Sequence, residues 1–216
     1  MILFVFAFGL CFMALVIPTK AQGTTLNPTD DVSINQSLPD KNNNEYTDML
    51  VGESTGWHEI LVLFQLATKP LEFTKAELWF EVIDFGGPTT LHFYECDNFW
   101  LEDNVTWNTA PPAESYVGNI SINKIGLHKL DITPFIGTQV IVPPWSVRIN
   151  CTELTWVRIA CKETAAAYSS NQIPPQIRFD YQEPLIGVDL SLFTILSIIV
   201  GSIGIVRLNR RAKKSY

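Results

Sequence analysis

Histidine and cysteine are scarce in this chain, with three of the first and four of the second in 216 residues. The histidines, at 58, 92 and 128, are scattered, and none stands beside a recognisable nucleophile. GxSxG, HExxH and glycine-rich phosphate loops are absent. No CxxC or Cys/His spacing occurs, which argues against zinc. The residues therefore offer no catalytic constellation, and the expectation is a protein that is not an enzyme. Helical periodicity is missing outside the two ends, and there is no internal repeat or low-complexity tract. Charge is sparse too, at 17% of residues against 47% hydrophobic, enough for one sizeable core plus added apolar segments.

Those segments lie at the termini. Ile2 to Ile17 is one apolar run, followed by Pro18, Thr19, Lys20 and Ala21. Thr19 and Ala21 suit the −3 and −1 positions of a signal-peptidase site, so residues 1–21 are expected to be a leader. The run lacks a basic leading segment, and a retained N-terminal anchor is the rival reading. Leu185 to Val206 is a second run, long enough to span a membrane as a helix. Arg207, Arg210, Arg211, Lys213 and Lys214 follow it and would hold a cytoplasmic tail, residues 207–216, on the inner side. The expected topology is single-pass in the cell membrane, N-terminus outside, with lipid around the helix.

Between the two runs, Gln22 to Pro184 holds nine of the 15 basic residues and 21 of the 22 acidic ones, a formal charge of −12. Such a surface repels nucleic acid and anionic lipid. Neutral polysaccharides, cations or basic protein patches are the partners it admits, unless a local basic cluster overrides the mean. Four Asn-x-Ser/Thr sequons, at Asn35, Asn104, Asn119 and Asn150, fit an extracellular glycoprotein. Cys96, Cys151 and Cys161 remain after the leader; being odd in number they allow one disulfide at most, with the pairing open.

From Glu59 onward the chain reads as short strands separated by Pro, Gly and Asn, the pattern of an all-β antiparallel sandwich. Ala76, Leu78, Phe80 and Val82 alternate with Lys75, Glu77, Trp79 and Glu81; Leu91 and Phe93 alternate with His92 and Tyr94. A turn at Asp84–Pro88 would make these a hairpin, setting Phe80 against Phe93 inside and Trp79 against Tyr94 outside. That outer pair is a candidate platform for a sugar ring. Arg148, Arg158 and Arg178 each sit between apolar residues that face inward, so each points out. On neighbouring strands they would form a ladder suited to carboxylate or sulfate sugars. Asp97, Glu102 and Asp103 are candidate oxygen ligands for Ca²⁺.

The stretch from Cys96 to Pro112 carries a resemblance. Trp100, Glu102, Val105, Thr106, Trp107, Asn108 and Pro111 stand as in the Trp-x-Glu-x-x-Val-Thr-Trp-Asn-x-x-Pro pattern of DNRLRE-type domains. DDVSINQSLPDKNNNEYTDMLVGES, ILVLFQL, FTKAELWFEV, LHKLDITPFI and PPQIRFDY fall in that family's order, covering most of Asp30 to Tyr181. The hexapeptide itself is missing, and His58-Glu59 stands where relatives carry Arg. The resemblance implies a surface jelly-roll in residues 22–184 that acts as a carbohydrate-binding module. The function expected is therefore adhesion or binding at the cell surface, without catalysis. The alternative is a structural envelope component making lateral protein contacts. Within the motif, Val105 to Trp107 reads as a short strand with Trp107 in the core.

Overall fold

A computed structural model describes residues 22–70, 72–137, 143–163 and 172–181. The expected leader, membrane span and basic tail lie outside the described residues. Among the described residues, no helix is long and apolar enough to cross a membrane.

The described chain is all-β apart from a 3₁₀ turn at Leu66–Thr68 and helical backbone at Lys162 and Glu163. Its strands are β1 (Gln22–Leu26), β2 (Asp30–Asn35), β3 (Asp48–Glu53), β4 (Trp57–Phe64), β5 (Lys75–Phe85), β6 (Thr89–Cys96), β7 (Tyr116–Ile122), β8 (Gly126–Asp131), β9 (Trp145–Cys151), β10 (Trp156–Ala160) and β11 (Gln176–Tyr181). All pairings are antiparallel. The strands form one sheet that curls back on itself. One half runs β2–β4–β9–β6–β7. In the other, β5 is flanked by β8 on one side and by β11 and β10 on the other. The halves join at the β3–β4 corner, where Gly52 pairs with His58 and Glu53 with Trp57. Gly52 has φ +98°, and a Cβ there would stand 2.1 Å from the Thr155 carbonyl oxygen. Glycine is therefore required at the corner.

Period-two alternation sends one set of side chains from each half into a common core. Ile60, Val62, Phe64, Leu91, Phe93, Val147 and Ile149 come from the first half. Leu78, Phe80, Val82, Val157, Ile159, Ile177 and Phe179 come from the second. The expected β5–β6 hairpin does not form. β6 pairs with β7 and β9, and β5 with β8, β10 and β11. The turn after β5 carries the chain from one half to the other. Alternation fixes which side chains face inward but not which strand lies alongside. Phe80 and Phe93 do meet, with ring centroids 5.6 Å apart, but across the core rather than along a ladder.

β4 is buried on both faces. Its outward Leu61 and Leu63 join Val32, Ile34, Cys96, Trp100 and Val105 in a second apolar cluster. The long connection after β6 folds over the first half to close this cluster. Val105–Trp107 is not a strand; the connection is a series of turns there. Asn42 holds it, its Nδ2 donating to the carbonyls of Glu102 at 2.6 Å and Val105 at 2.7 Å. Asn108 donates from its backbone to the Pro39 carbonyl and from its side chain to Asp40. A backbone committed to side-chain clamps has no ladder to join, which is why the β propensity of Val105 and Trp107 is overridden. Trp100 is the buried indole, 6% exposed, with Nε1–H donating to Ser146 Oγ at 2.8 Å. Trp107 is only half-buried at the cluster's edge.

Trp100→Ala should thus cost about 3–5 kcal/mol, the range for a fully buried aromatic. Trp107→Ala should cost roughly 1–2 kcal/mol, chiefly packing and a cation–π contact. Urea unfolding of the two variants measures both, and equal losses would contradict this burial assignment.

His58 provides a second test. It is 8% exposed, and neither ring nitrogen has a hydrogen-bond partner. Burial lowers its pKa below the ordinary 6.5. Above that value the ring is neutral in both folded and unfolded states. As pH falls below it, the unfolded chain takes a proton that the folded one resists, so stability drops. Comparing denaturant midpoints from pH 7.5 to 5, His58→Leu should remove part of the acid-side loss seen in the wild type.

Candidate functional site

Two outward surfaces carry the aromatic and basic residues singled out from the sequence, and the fold sorts them differently from the hairpin expectation. Tyr94 and Trp79 lie on opposite halves of the sheet. Arg148, Arg158 and Arg178 lie on β9, β10 and β11, none of which pairs with another of the three. There is no arginine ladder, because crossovers separate strands that are close in sequence.

On the first half, β6 runs between β9 and β7, and its outward residues meet theirs in register. Tyr94 is opposite Arg148 on one side and Tyr116 on the other. His92 is opposite Asn150 and Asn119. The Tyr94 and Tyr116 rings meet edge to face at 5.4 Å, and His92 lies 6.4 Å from Tyr116. Asn119 Nδ2 donates to the Tyr116 hydroxyl at 2.6 Å. Tyr116, 48% exposed, is open to solvent. The cation beside this patch is already engaged. Arg148 pairs with the buried Glu59, donates from Nη1 to the Pro111 carbonyl at 2.6 Å and lies against the Trp107 ring. The patch is therefore aromatic and neutral, with amide and imidazole groups at its margin. Sequence reasoning found Tyr94 but missed Tyr116 and His92, which only the β6–β7 register brings together.

On the second half, Trp79 is half-buried. The Arg178 guanidinium covers its ring at 3.7 Å, and the Lys129 ammonium lies 5.5 Å from the ring centre. Its Nε1–H donates to Glu77 at 3.0 Å. Glu77 also pairs with Lys75 at 2.6 Å and Lys129 at 3.7 Å. Burial pushes the Glu77 carboxyl upward, but the bonds from Lys75 and Trp79 outweigh it and hold the pKa below the usual range. This is a closed ionic network around an indole whose face is taken. Arg158 stands apart, 3.3 Å from Asp48 and against Trp156.

The acidic trio does not converge either. Asp97 accepts from the Phe99 backbone at 2.9 Å, Asp103 from Asn44 at 2.7 Å, and Glu102 pairs with Lys162. Glu102 instead lies with Asp31 and Glu163, one oxygen of each within 4.8 Å of the others. The reason is the turn at Leu101–Val105, which sends neighbouring carboxylates in different directions. Among the sequons, Asn104 and Asn119 are exposed, Asn150 is partly buried, and Asn35 is 5% exposed with its Oδ1 accepting from the Ser37 backbone. Of the three cysteines that allowed at most one disulfide, Cys96, Cys151 and Cys161 are not joined to one another. Cys96 shares a contact with Ser146 Oγ, and Cys151 faces the carbonyls of Glu153 and Thr155. Burial pushes the Cys96 thiol up to about 11, so it supplies no thiolate nucleophile at neutral pH.

The chain belongs to carbohydrate-binding module family 96, whose family model matches residues 22–170. That family is one of binding domains rather than catalytic ones, in agreement with the motif content of the sequence. No curated protein matches the chain.

Proposed function

We propose that the module binds an uncharged polysaccharide on the outer face of β6, β7 and β9. Tyr94 and Tyr116 would stack on sugar rings, with His92 and Asn119 hydrogen-bonding the hydroxyls. The observation that carries this reading is the exposed Tyr116 packed edge to face on a half-buried Tyr94, set against a Trp79 whose ring is covered by Arg178. Neutral sugar is favoured because Arg148 is already committed to Glu59 and Pro111. The −12 charge of residues 22–184 also opposes a polyanion. Asn119 and Asn150 flank the patch, so a glycan on either would compete with an external ligand.

Unglycosylated full-length protein, displayed against a glycan array, is the direct test. Tyr116→Ala should weaken retention on the preferred neutral glycan about tenfold, or about 1.4 kcal/mol, while Trp79→Ala leaves it within about twofold. Binding should persist at high salt, since stacking is not screened. Reversal of the two variants would move the site to the second face. Failure to bind any glycan would favour the structural envelope component.

We infer further that the module is displayed on the cell surface as an adhesion protein, held by the Leu185–Val206 run with the basic tail inside. The supports are the apolar lengths and the five basic residues after Val206. Protease added to intact cells should remove residues 22–184 and leave a small basic fragment in the membrane. Protection of the module would overturn this topology.

A further inference from the structure

Three segments distant in sequence bring carboxylates together beside the second apolar cluster. Asp31 comes from β2, Glu102 from the connection after β6, and Glu163 from just beyond β10. One oxygen of each lies within 4.8 Å of the others. Asp31 is 2% exposed and Glu102 9%. Lys162 is the cation present. Its ammonium contacts Glu102, Glu163 at 3.5 Å and the Thr29 carbonyl at 3.2 Å, and its backbone N–H donates to Asp31 Oδ2 at 2.9 Å. The ammonium is hydrogen-bonded to Glu102 and to the Thr29 carbonyl, with Glu163 at ion-pair distance. Asp31 Oδ1 is left buried with no hydrogen-bond partner. Burial, and then the neighbouring Glu163 carboxylate, push the Asp31 pKa up to about 7. With all three carboxylates ionised, the one ammonium would leave two negative charges unbalanced, and buried charge without a partner is strongly unfavourable.

We propose that Asp31, Glu102 and Glu163 form a Ca²⁺ site, with the Thr29 carbonyl as a further oxygen donor. An all-oxygen donor set selects a hard cation. Two oxygens on one Ca²⁺ at about 2.3–2.6 Å stand at most about 5 Å apart, so all three carboxylates can reach one ion as they are placed. Mg²⁺ demands stricter octahedral geometry and gives up its waters reluctantly, so a cluster of carboxylates and a carbonyl from three segments suits Ca²⁺ better. A divalent ion balances the two excess charges and supplies the orphaned Asp31 oxygen with a partner. Lys162 competes for the same carboxylates and sets the affinity. Because Glu102 lies in the connection that closes the second cluster, the ion ties that connection to β2 and to the end of β10.

The test uses the full chain, freed of metal with chelator and dialysed. CaCl₂ at 1 mM should raise Tm by about 5 °C over ionic-strength-matched NaCl, by binding the folded state. MgCl₂ should do much less, and titration calorimetry should give one Ca²⁺ per chain. Asp31→Asn and Glu163→Gln should each weaken Ca²⁺ at least tenfold, whereas Asp103→Asn, on the same connection, should leave it unchanged. Lys162→Met should tighten it. Glu163 is the more exposed position, so its variant and the wild-type stoichiometry decide the matter if Asp31→Asn does not fold. The proposal is overturned if the wild type shows neither Tm shift nor heat. It is also overturned if Asp31→Asn or Glu163→Gln responds as the wild type does, which would mean adventitious binding to an acidic surface.

Discussion

Leu61 and Leu63 point away from the interior between the two sheet halves and are buried all the same. Much of the molecule follows from that. A strand that is apolar on both faces needs a cover on each. One cover is the second half of the curled sheet. The other is the connection from Asp97 to Ser115, which places Trp100 and Val105 over β2 and β4. Full burial of each large apolar side chain is worth about 1.5–3 kcal/mol, enough to order a connection with no ladder of its own. The Asn42 and Asn108 clamps then satisfy backbone groups that strand pairing would otherwise have satisfied.

The same cover shapes the ligand surface. It occupies the β2–β4 side of the first half and ends where Arg148 reaches the Pro111 carbonyl. Beyond that edge, β7 presents Tyr116, Asn119 and Ser121 to solvent beside the half-buried His92 and Tyr94 of β6. The buried Glu59–Arg148 pair marks the boundary between covered and open sheet. Removing either partner alone would strand a charge under the connection. Glu59 and Arg148 therefore support the shape of the open face rather than supply a charge to it.

The sequence by itself determined the all-β class, through period-two alternation in the segments around Leu78 and Phe93, and the inward parity of Phe80, Ile149, Ile159 and Phe179. It also marked the stretch from Trp100 to Pro111 as distinctive. These are local properties: side-chain parity depends on nearest neighbours along the chain. Only the tertiary structure decided partnership. It parted Trp79 from Tyr94, gave Tyr94 to Tyr116 and Trp79 to Arg178, and dispersed the three arginines. It also drew Glu102 away from Asp97 and Asp103 towards Asp31 and Glu163. Alternation is blind to which strand lies alongside, because every inward-facing strand has the same pattern. Strand order is set by packing the whole core at once, and contacts between residues 60 or more apart are written in no local signal.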